Sequence, residues 1–135
     1  MPAPMTQGAY GSALVVDDDE FSFENLRLKL QRLNITTIGW APNGRAAMAI
    51  LDAMAAPPDL VICDIFMPQM DGIEFSEHLR QRKYQGGLIL ISGGGSTMLE
   101  VAQFFAVEIR LNVLGAFSKP VSVQSLEGAL TPRIK

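Results

Sequence analysis

Acidic, hydroxyl and amino side chains stand in this sequence where chemistry on a bound anion could take place. Residues 17–19 are an aspartate run, and Asp64, Ser92 and Lys119 each follow or end a separate apolar segment. Crowded carboxylates repel one another unless a cation lies among them, and carboxylate oxygens suit Mg²⁺. A hydroxyl, an ammonium group and a divalent ion together stabilise the oxygens of a phosphoryl group in transfer. The residue types therefore predict phosphoryl transfer with Asp64 as the nucleophile, provided that the fold brings these side chains together.

Short apolar segments alternate with amphipathic segments along the chain and could bring these side chains together. The pattern predicts strands at residues 13–16, 36–40, 60–64, 88–92 and 113–117. It predicts helices at residues 23–33, 44–55, 72–83, 97–110 and 123–130. Regular alternation of this kind favours an α/β fold, a doubly wound five-stranded parallel sheet with helices on both faces. Ligands of such sheets bind outside the carboxyl ends of the strands, where the polar residues above would lie.

Length, charge and composition restrict the classes of protein to which the chain could belong. Its 135 residues, 48% hydrophobic and 19% charged, fit one compact domain, predicted here at residues 13–131 after a flexible extension at 1–12 and before a tail or linker start at 132–135. A net charge of −3 argues against direct binding to nucleic acid or to an anionic membrane, so the expected partner is a protein. A single cysteine and the lack of a secretion signal or a membrane-spanning apolar segment predict a cytoplasmic location.

Four motifs, taken in order, resemble the signature of response-regulator receiver domains. They are residues 14–19 (Leu-Val-Val-Asp-Asp-Asp), residues 64–72, the Ile-Ser-Gly at 91–93 and the Lys-Pro at 119–120, and the resemblance extends over residues 13–130. It implies the (βα)5 flavodoxin-like fold, Mg²⁺ as the cofactor and phosphorylation of an aspartate. It also implies that the chain is not an enzyme in the usual sense, because it would catalyse only its own phosphorylation and dephosphorylation.

The resemblance gives individual residues their expected roles. Asp64 would be the phosphoacceptor. Mg²⁺ would be held by Asp17, Asp18, Asp64 and the backbone carbonyl of Phe66, with Asp17 acting through water. The phosphoryl group would be contacted by Ser92, Gly93 and Lys119. Pro68 and Gly72 would shape the loop after the phosphorylation site, with Gly72 supplying backbone freedom.

The same resemblance implies the partners. A sensor histidine kinase or a phosphotransfer protein would donate the phosphoryl group. A downstream effector domain or a second copy of the chain would read the phosphorylated state. Residues 87–93 and 111–120 resemble more narrowly the receivers that precede EAL-type cyclic-di-GMP phosphodiesterase domains. We therefore expect an EAL-type effector among the candidate partners.

Two positions depart from the family pattern. Ala116 occupies the place, three residues before the lysine, where most receivers carry a Tyr or Phe whose rotamer reports phosphorylation. Strand alternation points Phe117 to the other side of the sheet, so it is expected to pack in the core. Phe66 places a bulky apolar side chain at the mouth of the site, where it would obstruct water and slow the loss of phosphate. Trp40 is expected in the core or on a partner surface.

Other functions fit parts of the same sequence. Taken alone, the run at 17–19 is equally typical of a solvated helix start, because aspartate favours N-caps and first turns. A receiver fold with Ala116 in place of the aromatic could serve as a phosphorylation-independent interaction or dimerisation module. A haloacid-dehalogenase-type phosphatase also uses an aspartate nucleophile, but on its first strand, in an Asp-x-Asp motif followed by a hydroxyl that residues 17–21 lack. A phosphoryl-transfer assay distinguishes these functions.

Overall fold

Parallel strands and helices alternate along the chain in this computed structural model, which describes residues 10–94 and 96–131. The strands are β1 (Ser12–Val16), β2 (Thr37–Ala41), β3 (Leu60–Asp64), β4 (Gly87–Ser92) and β5 (Asn112–Ser118). The helices are α1 (Glu20–Arg32), α2 (Gly44–Ala53), α3 (Gly72–Gln81), α4 (Ser96–Glu108) and α5 (Val123–Leu130). The predicted order of five β-α units is confirmed. The largest difference lies at α1, which begins at Glu20 rather than at Phe23.

Side-chain oxygens set the starting points of several helices. A backbone N–H of the first turn is accepted by the side chain of Asp19 in α1, Asn43 in α2, Asp71 in α3 and Ser122 in α5. Each such cap satisfies an N–H that the helix cannot, and is worth about 1 kcal/mol. The cap at Asp19 explains the early start of α1, because it places the first turn ahead of the first apolar residue of the helical face.

The sheet has the strand order β2-β1-β3-β4-β5, which is the flavodoxin-like arrangement predicted from the sequence. The chain runs outward from β1 to β2 on one side and from β3 through β4 to β5 on the other. The order therefore reverses between β1 and β3. At such a reversal the flanking loops diverge and leave a crevice at the carboxyl ends of the strands.

Apolar side chains cover both faces of the sheet. Alternate residues of β3 show the division: Val61 and Cys63 belong to one buried cluster, and Leu60 and Ile62 belong to the other. The first cluster includes side chains from α2, α3 and α4, and the second includes side chains from α1 and α5. Every residue of β3 is buried, as the continuous apolar segment predicts for a central parallel strand.

The start of β1 is fixed by contacts at the amino-terminal edge of the sheet. The Asp59 carboxylate accepts the N–H groups of Gly11 and Ser12 at 2.8 and 3.2 Å, and Ser12 Oγ accepts the Asp59 N–H at 3.0 Å. Ser12 thus lies in the sheet, one residue before the predicted domain start. The rest of the predicted extension at 1–9 and the predicted tail at 132–135 lie outside the described residues. Among the described helices, none is both long enough and apolar enough to cross a membrane.

Candidate functional site

The carboxyl ends of four strands meet around Lys119. Its Nζ lies 2.8 Å from Oδ2 of Asp17, which follows β1, and 2.8 Å from Oδ2 of Asp64, which ends β3. The backbone N–H of Lys119, which follows β5, donates to the carbonyl of Ser92 at the end of β4, at 2.8 Å. The structure therefore brings together the four residues that the sequence predicts to converge.

The aspartate run divides into residues with different environments. Asp17 is fully buried, Asp18 and Asp19 are exposed, and Asp19 caps α1. The Asp17 Oδ1 accepts the N–H of Asp19 at 2.9 Å, which closes a turn around Asp18. The helix-start interpretation is therefore right for Asp19, which caps α1. Asp17 and Asp18 face the site, and their part in a metal site stays a prediction.

The second oxygen of Asp17 lies where positive charge is stabilised. Among the described residues, Oδ2 has no hydrogen-bond partner although it is buried. The Lys119 ammonium is its ion-pair partner at 2.8 Å, in a geometry that falls short of a hydrogen bond. A buried carboxylate oxygen in this state carries a desolvation penalty of a few kcal/mol. The charge of Lys119 offsets part of that penalty, and a metal ion beside the same oxygen would offset more of it.

Three carboxylates are close enough to share one metal ion. Asp17, Asp18 and Asp64 each offer an oxygen, and these atoms lie within 4.8 Å of one another. Together with the unsatisfied Oδ2 of Asp17, this oxygen-only set fits a hard divalent ion such as Mg²⁺, which keeps several of its waters. The residues present therefore suit the predicted metal.

Asp64 is held at both carboxylate oxygens. Oδ1 accepts the N–H of Phe66 at 2.9 Å, and Oδ2 accepts a hydrogen bond from Lys119 Nζ at 2.8 Å. Burial raises the pKa of Asp64 and the charge of Asp17 adds to the rise, while the bonds from Lys119 and Phe66 oppose it without cancelling it. Burial would lower the pKa of Lys119, but contact with Asp17 and Asp64 outweighs that effect and raises it. The ammonium is therefore charged across the physiological range.

The raised pKa of Asp64 leads to a prediction about stability. Because the folded pKa lies above the unfolded value, the ionised carboxylate opposes folding at neutral pH. In Mg²⁺-free buffer, Asp64→Asn is expected to raise the free energy of unfolding by about 1 kcal/mol at neutral pH. The gain should shrink as the pH falls through the folded pKa, where the wild-type carboxyl becomes neutral. Urea denaturation across this pH range measures the effect.

The matched control is Asp52→Asn. Asp52 is exposed, and its bonds to Arg82 hold its pKa below the usual range, so this substitution should bring no gain at neutral pH. A destabilised Asp64→Asn protein at neutral pH would contradict the prediction.

Gly72 shapes the loop after Asp64 through close packing. Its N–H donates to the Ile65 carbonyl at 3.0 Å, and a Cβ at this position would lie 2.8 Å from the Ile65 Cα. Gly72 was predicted to shape this loop by supplying backbone freedom. That reason is wrong, because no glycine in the described part of the chain has a positive φ. The left-handed residue of this loop is Gln69, with φ at 73°.

Ser92 and Gly93 lie beside Lys119, and Phe66 lies beside Asp64. Ser92 is buried and its Oγ accepts the Gly94 N–H at 3.0 Å, which orients the hydroxyl. A Cβ built on Gly93 would meet Lys119 Cδ at 3.8 Å, so the Gly93 backbone passes beside the lysine. The Phe66 ring is 45% exposed and lies against Gly94, where an added Cβ would approach Cε2 to 2.9 Å.

The residues at the end of β5 face opposite sides of the sheet. Ala116 packs with the cluster beneath α4, and Phe117 packs with the cluster beneath α1 and α5. The predicted core position of Phe117 is confirmed. The side of the sheet that carries the switch aromatic in most receivers therefore holds only a methyl group at this position.

Sequence reasoning missed one residue that contacts the site. The Trp40 indole Nε1–H donates to the backbone carbonyl of Asp17 at 2.8 Å. The available signal was positional: Trp40 is the penultimate residue of β2, which neighbours β1 in the sheet, and in parallel register it pairs with Val15, two residues before Asp17. A polar side-chain atom there can reach the end of β1.

Comparison with known proteins agrees with this geometry. The family model described as the response regulator receiver domain matches residues 13–131. The "Regulator of RpoS" of Escherichia coli (strain K12) is 35% identical over 118 residues, covering 87% of this chain and 33% of that protein. The "Probable C4-dicarboxylate response regulator DctR" of Halalkalibacterium halodurans is 27% identical over 119 residues, covering 87% of this chain and 49% of that protein. The chain thus spans between a third and a half of the length of these curated relatives.

A solved structure shows the same fold over nearly the whole chain. The response regulator from Colwellia psychrerythraea superposes with a TM-score of 0.73 at 33% identity, covering 90% of this chain and 94% of that one. The family model, the relatives and the fold all point to one assignment. The chain belongs to the response regulator receiver domain family.

Proposed function

We propose that this chain is a phosphorylation switch in which Asp64 accepts a phosphoryl group from a sensor histidine kinase or a phosphotransfer protein. The observation that carries the proposal is the position of Lys119, whose ammonium lies 2.8 Å from a carboxylate oxygen of both Asp17 and Asp64. This arrangement places a fixed positive charge beside a nucleophile at the edge of the sheet. The same proposal places the protein in the cytoplasm, together with its kinase.

Each group of the site has a part in the transfer. An oxygen of Asp64 attacks phosphorus, the phosphorus–nitrogen bond of the donor phosphohistidine breaks, and the imidazole leaves and is neutralised by a proton. Asp17, Asp18, Asp64 and the backbone carbonyl of Phe66 would hold Mg²⁺, which would supply positive charge to neutralise the transferring oxygens. The Lys119 ammonium, the Ser92 hydroxyl and the Gly93 amide bind the remaining phosphoryl oxygens. The product is an acyl phosphate on Asp64.

The phosphorylated state acts through a change in surface contacts. The new dianion attracts Ser92 and Lys119 and biases an equilibrium between two arrangements of the β4–α4 and β5–α5 regions. Helix α4 is the candidate output surface, since four of its apolar side chains are exposed: Met98, Val101, Phe104 and Val107. The reader of this surface is an effector domain, of the EAL type on the narrower resemblance, or a second copy of the chain.

Phe66 is expected to prolong the lifetime of the acyl phosphate. Its exposed ring stands at the mouth of the site against Gly94, where it obstructs the approach of water to the phosphorus. We expect Phe66→Asn to lose phosphate about tenfold faster, a lowering of the barrier by about 1.4 kcal/mol. The measurement is the decay of the phosphorylated mass after removal of the donor. Phe66→Leu, which keeps apolar bulk, is the control, and an unchanged decay rate in Phe66→Asn would rule out this role.

The proposed function is tested by incubating the protein with acetyl phosphate and following its intact mass. A single phosphate adduct should form with Mg²⁺, should not form with EDTA, and should decay once the donor is removed. No adduct, with acetyl phosphate and with candidate histidine kinases, would favour the phosphorylation-independent interaction module suggested by Ala116. Sustained release of phosphate from an added phosphomonoester would instead indicate a phosphatase.

A further inference from the structure

Trp40 links the aspartate run at residues 17–19 to two neighbouring elements, β2 and α1. Its indole Nε1–H donates to the Asp17 carbonyl at 2.8 Å, and its ring stacks on Phe23 of α1 with centroids 5.4 Å apart and planes 15° from parallel. The side chain is half-buried and projects from β2. The indole therefore bridges the end of β1, the end of β2 and the first turns of α1.

We propose that Trp40 is a positioning residue for the metal site, acting through the peptide that joins Asp17 to Asp18. This inference rests on the proposed function, because it assigns a part to Trp40 in binding the Mg²⁺ of that site. Asp18 is exposed, so its carboxylate is placed by the backbone that carries it rather than by surrounding packing. The orientation of the preceding carbonyl therefore decides where that carboxylate points.

The backbone of Asp17 is held on both sides by β2. Its N–H donates to the Ala41 carbonyl at 3.0 Å, and its carbonyl accepts from the Trp40 indole. The turn is closed beyond Asp18 by the bond from the Asp19 N–H to Asp17 Oδ1 at 2.9 Å. Of these three restraints, the indole bond is the one that acts on the peptide plane immediately before Asp18.

Loss of the indole N–H would free that peptide plane without removing a metal ligand. The Asp17 carbonyl would then be solvated, and the turn would sample orientations in which the Asp18 carboxylate points away from Asp17 and Asp64. The net worth of one side-chain hydrogen bond corresponds to about a fivefold change in an equilibrium constant. We therefore expect Mg²⁺ to bind about fivefold more weakly, with little change in the reaction once the metal is saturating.

The experiment uses the fact that the sequence contains one tryptophan. Biosynthetic replacement of tryptophan by benzothienylalanine keeps the size and stacking of the ring at position 40 and removes only the N–H. Replacement by 5-fluorotryptophan keeps the N–H and is the matched control. The full chain of each form is titrated with MgCl₂ and followed by backbone amide chemical shifts, and its phosphorylation rate from acetyl phosphate is measured against Mg²⁺ concentration.

The benzothiophene form should show a Mg²⁺ dissociation constant about fivefold higher than that of the unsubstituted protein, and a maximal phosphorylation rate within about twofold of it. The fluorinated form should match the unsubstituted protein in both quantities. Trp40→Phe, made by ordinary mutagenesis, should show the same rise. Equal Mg²⁺ constants in the benzothiophene and unsubstituted forms would overturn the inference alone, even if the melting temperature fell. Absence of saturable Mg²⁺ shifts in the unsubstituted protein would overturn the metal site and the inference together.

Discussion

Replacement of Lys119 by alanine is expected to slow phosphorylation from acetyl phosphate by about 100-fold, because it removes a preorganised cation from the place where negative charge collects. The ammonium lies 2.8 Å from Oδ2 of Asp17 and 2.8 Å from Oδ2 of Asp64, and 21% of the lysine side chain is exposed. Without it, two buried carboxylates face each other uncompensated. Asp64 then takes up a proton more readily, and a protonated carboxyl is a poor nucleophile.

The matched variant is Lys119→Arg, which keeps the charge but replaces a compact ammonium by a larger planar group. Initial rates of adduct formation, read by intact mass at saturating donor and Mg²⁺, should rank wild type first, Lys119→Arg second and Lys119→Ala last. A Lys119→Ala rate within about fivefold of wild type would show that the ammonium does not stabilise the transfer.

Substitutions of two adjacent aspartates are expected to have different effects, one on metal binding and the other on helix stability. Asp18→Ala should raise the Mg²⁺ concentration for half-maximal phosphorylation about 100-fold, because loss of a ligand should cost at least as much as loss of a residue that only orients one, which is roughly 10- to 100-fold. Its carboxylate is one of the three whose oxygens lie within 4.8 Å. Asp19→Ala should leave that concentration unchanged, because the Asp19 carboxylate accepts the Phe21 N–H at 3.1 Å and serves as the helix cap.

Stability measurements complete the comparison. Asp19→Ala removes the N-cap of α1 and should lower the free energy of unfolding by about 1 kcal/mol. Asp18→Ala should not lower it in Mg²⁺-free buffer, since removal of an exposed carboxylate reduces repulsion with Asp17 and Asp64. Equal Mg²⁺ dependence in the two variants would mean that the acidic run acts only through its overall charge.

Much of the fold could be predicted because the apolar segments and their alternation with amphipathic segments favour the same parallel sheet. The segment 60–63 is continuously apolar and bounded by polar residues, which is typical of a strand covered on both faces. Alternation with amphipathic segments then leaves few topologies, because crossovers between parallel strands are right-handed. Helix ends were less predictable. The capping bond of Asp19, which begins α1 three residues before Phe23, does not show in apolar periodicity.

The sequence allows us to predict which residues converge at the site, because the carboxyl ends of parallel strands lie on one edge of the sheet. Asp17, Asp64, Ser92 and Lys119 each lie at such an end. Their precise interactions depend on tertiary geometry that no motif encodes. The sequence does not indicate that Asp17 would be buried with an unsatisfied oxygen, or that Phe66 would lie against Gly94.

Sequence reasoning missed two further features for a physical reason. Gly72 is required because its Cα approaches Ile65 too closely for a side chain, and such contacts depend on how the loop folds back. Trp40 contacts Asp17 across 23 residues of sequence, and an aromatic residue in a strand is usually part of the core. The residue types suggest backbone freedom for Gly72 and core packing for Trp40. The structure instead shows a close contact at Gly72 and a hydrogen bond from Trp40 to the site.

The phosphoacceptor role of Asp64 is tested by comparing wild type with Asp64→Ala by intact mass after incubation with acetyl phosphate and Mg²⁺. We expect a single phosphate adduct on the wild-type protein and none on the variant, with both proteins showing the same fold by circular dichroism. An equal adduct on the Asp64→Ala protein would show that a different residue carries the phosphoryl group.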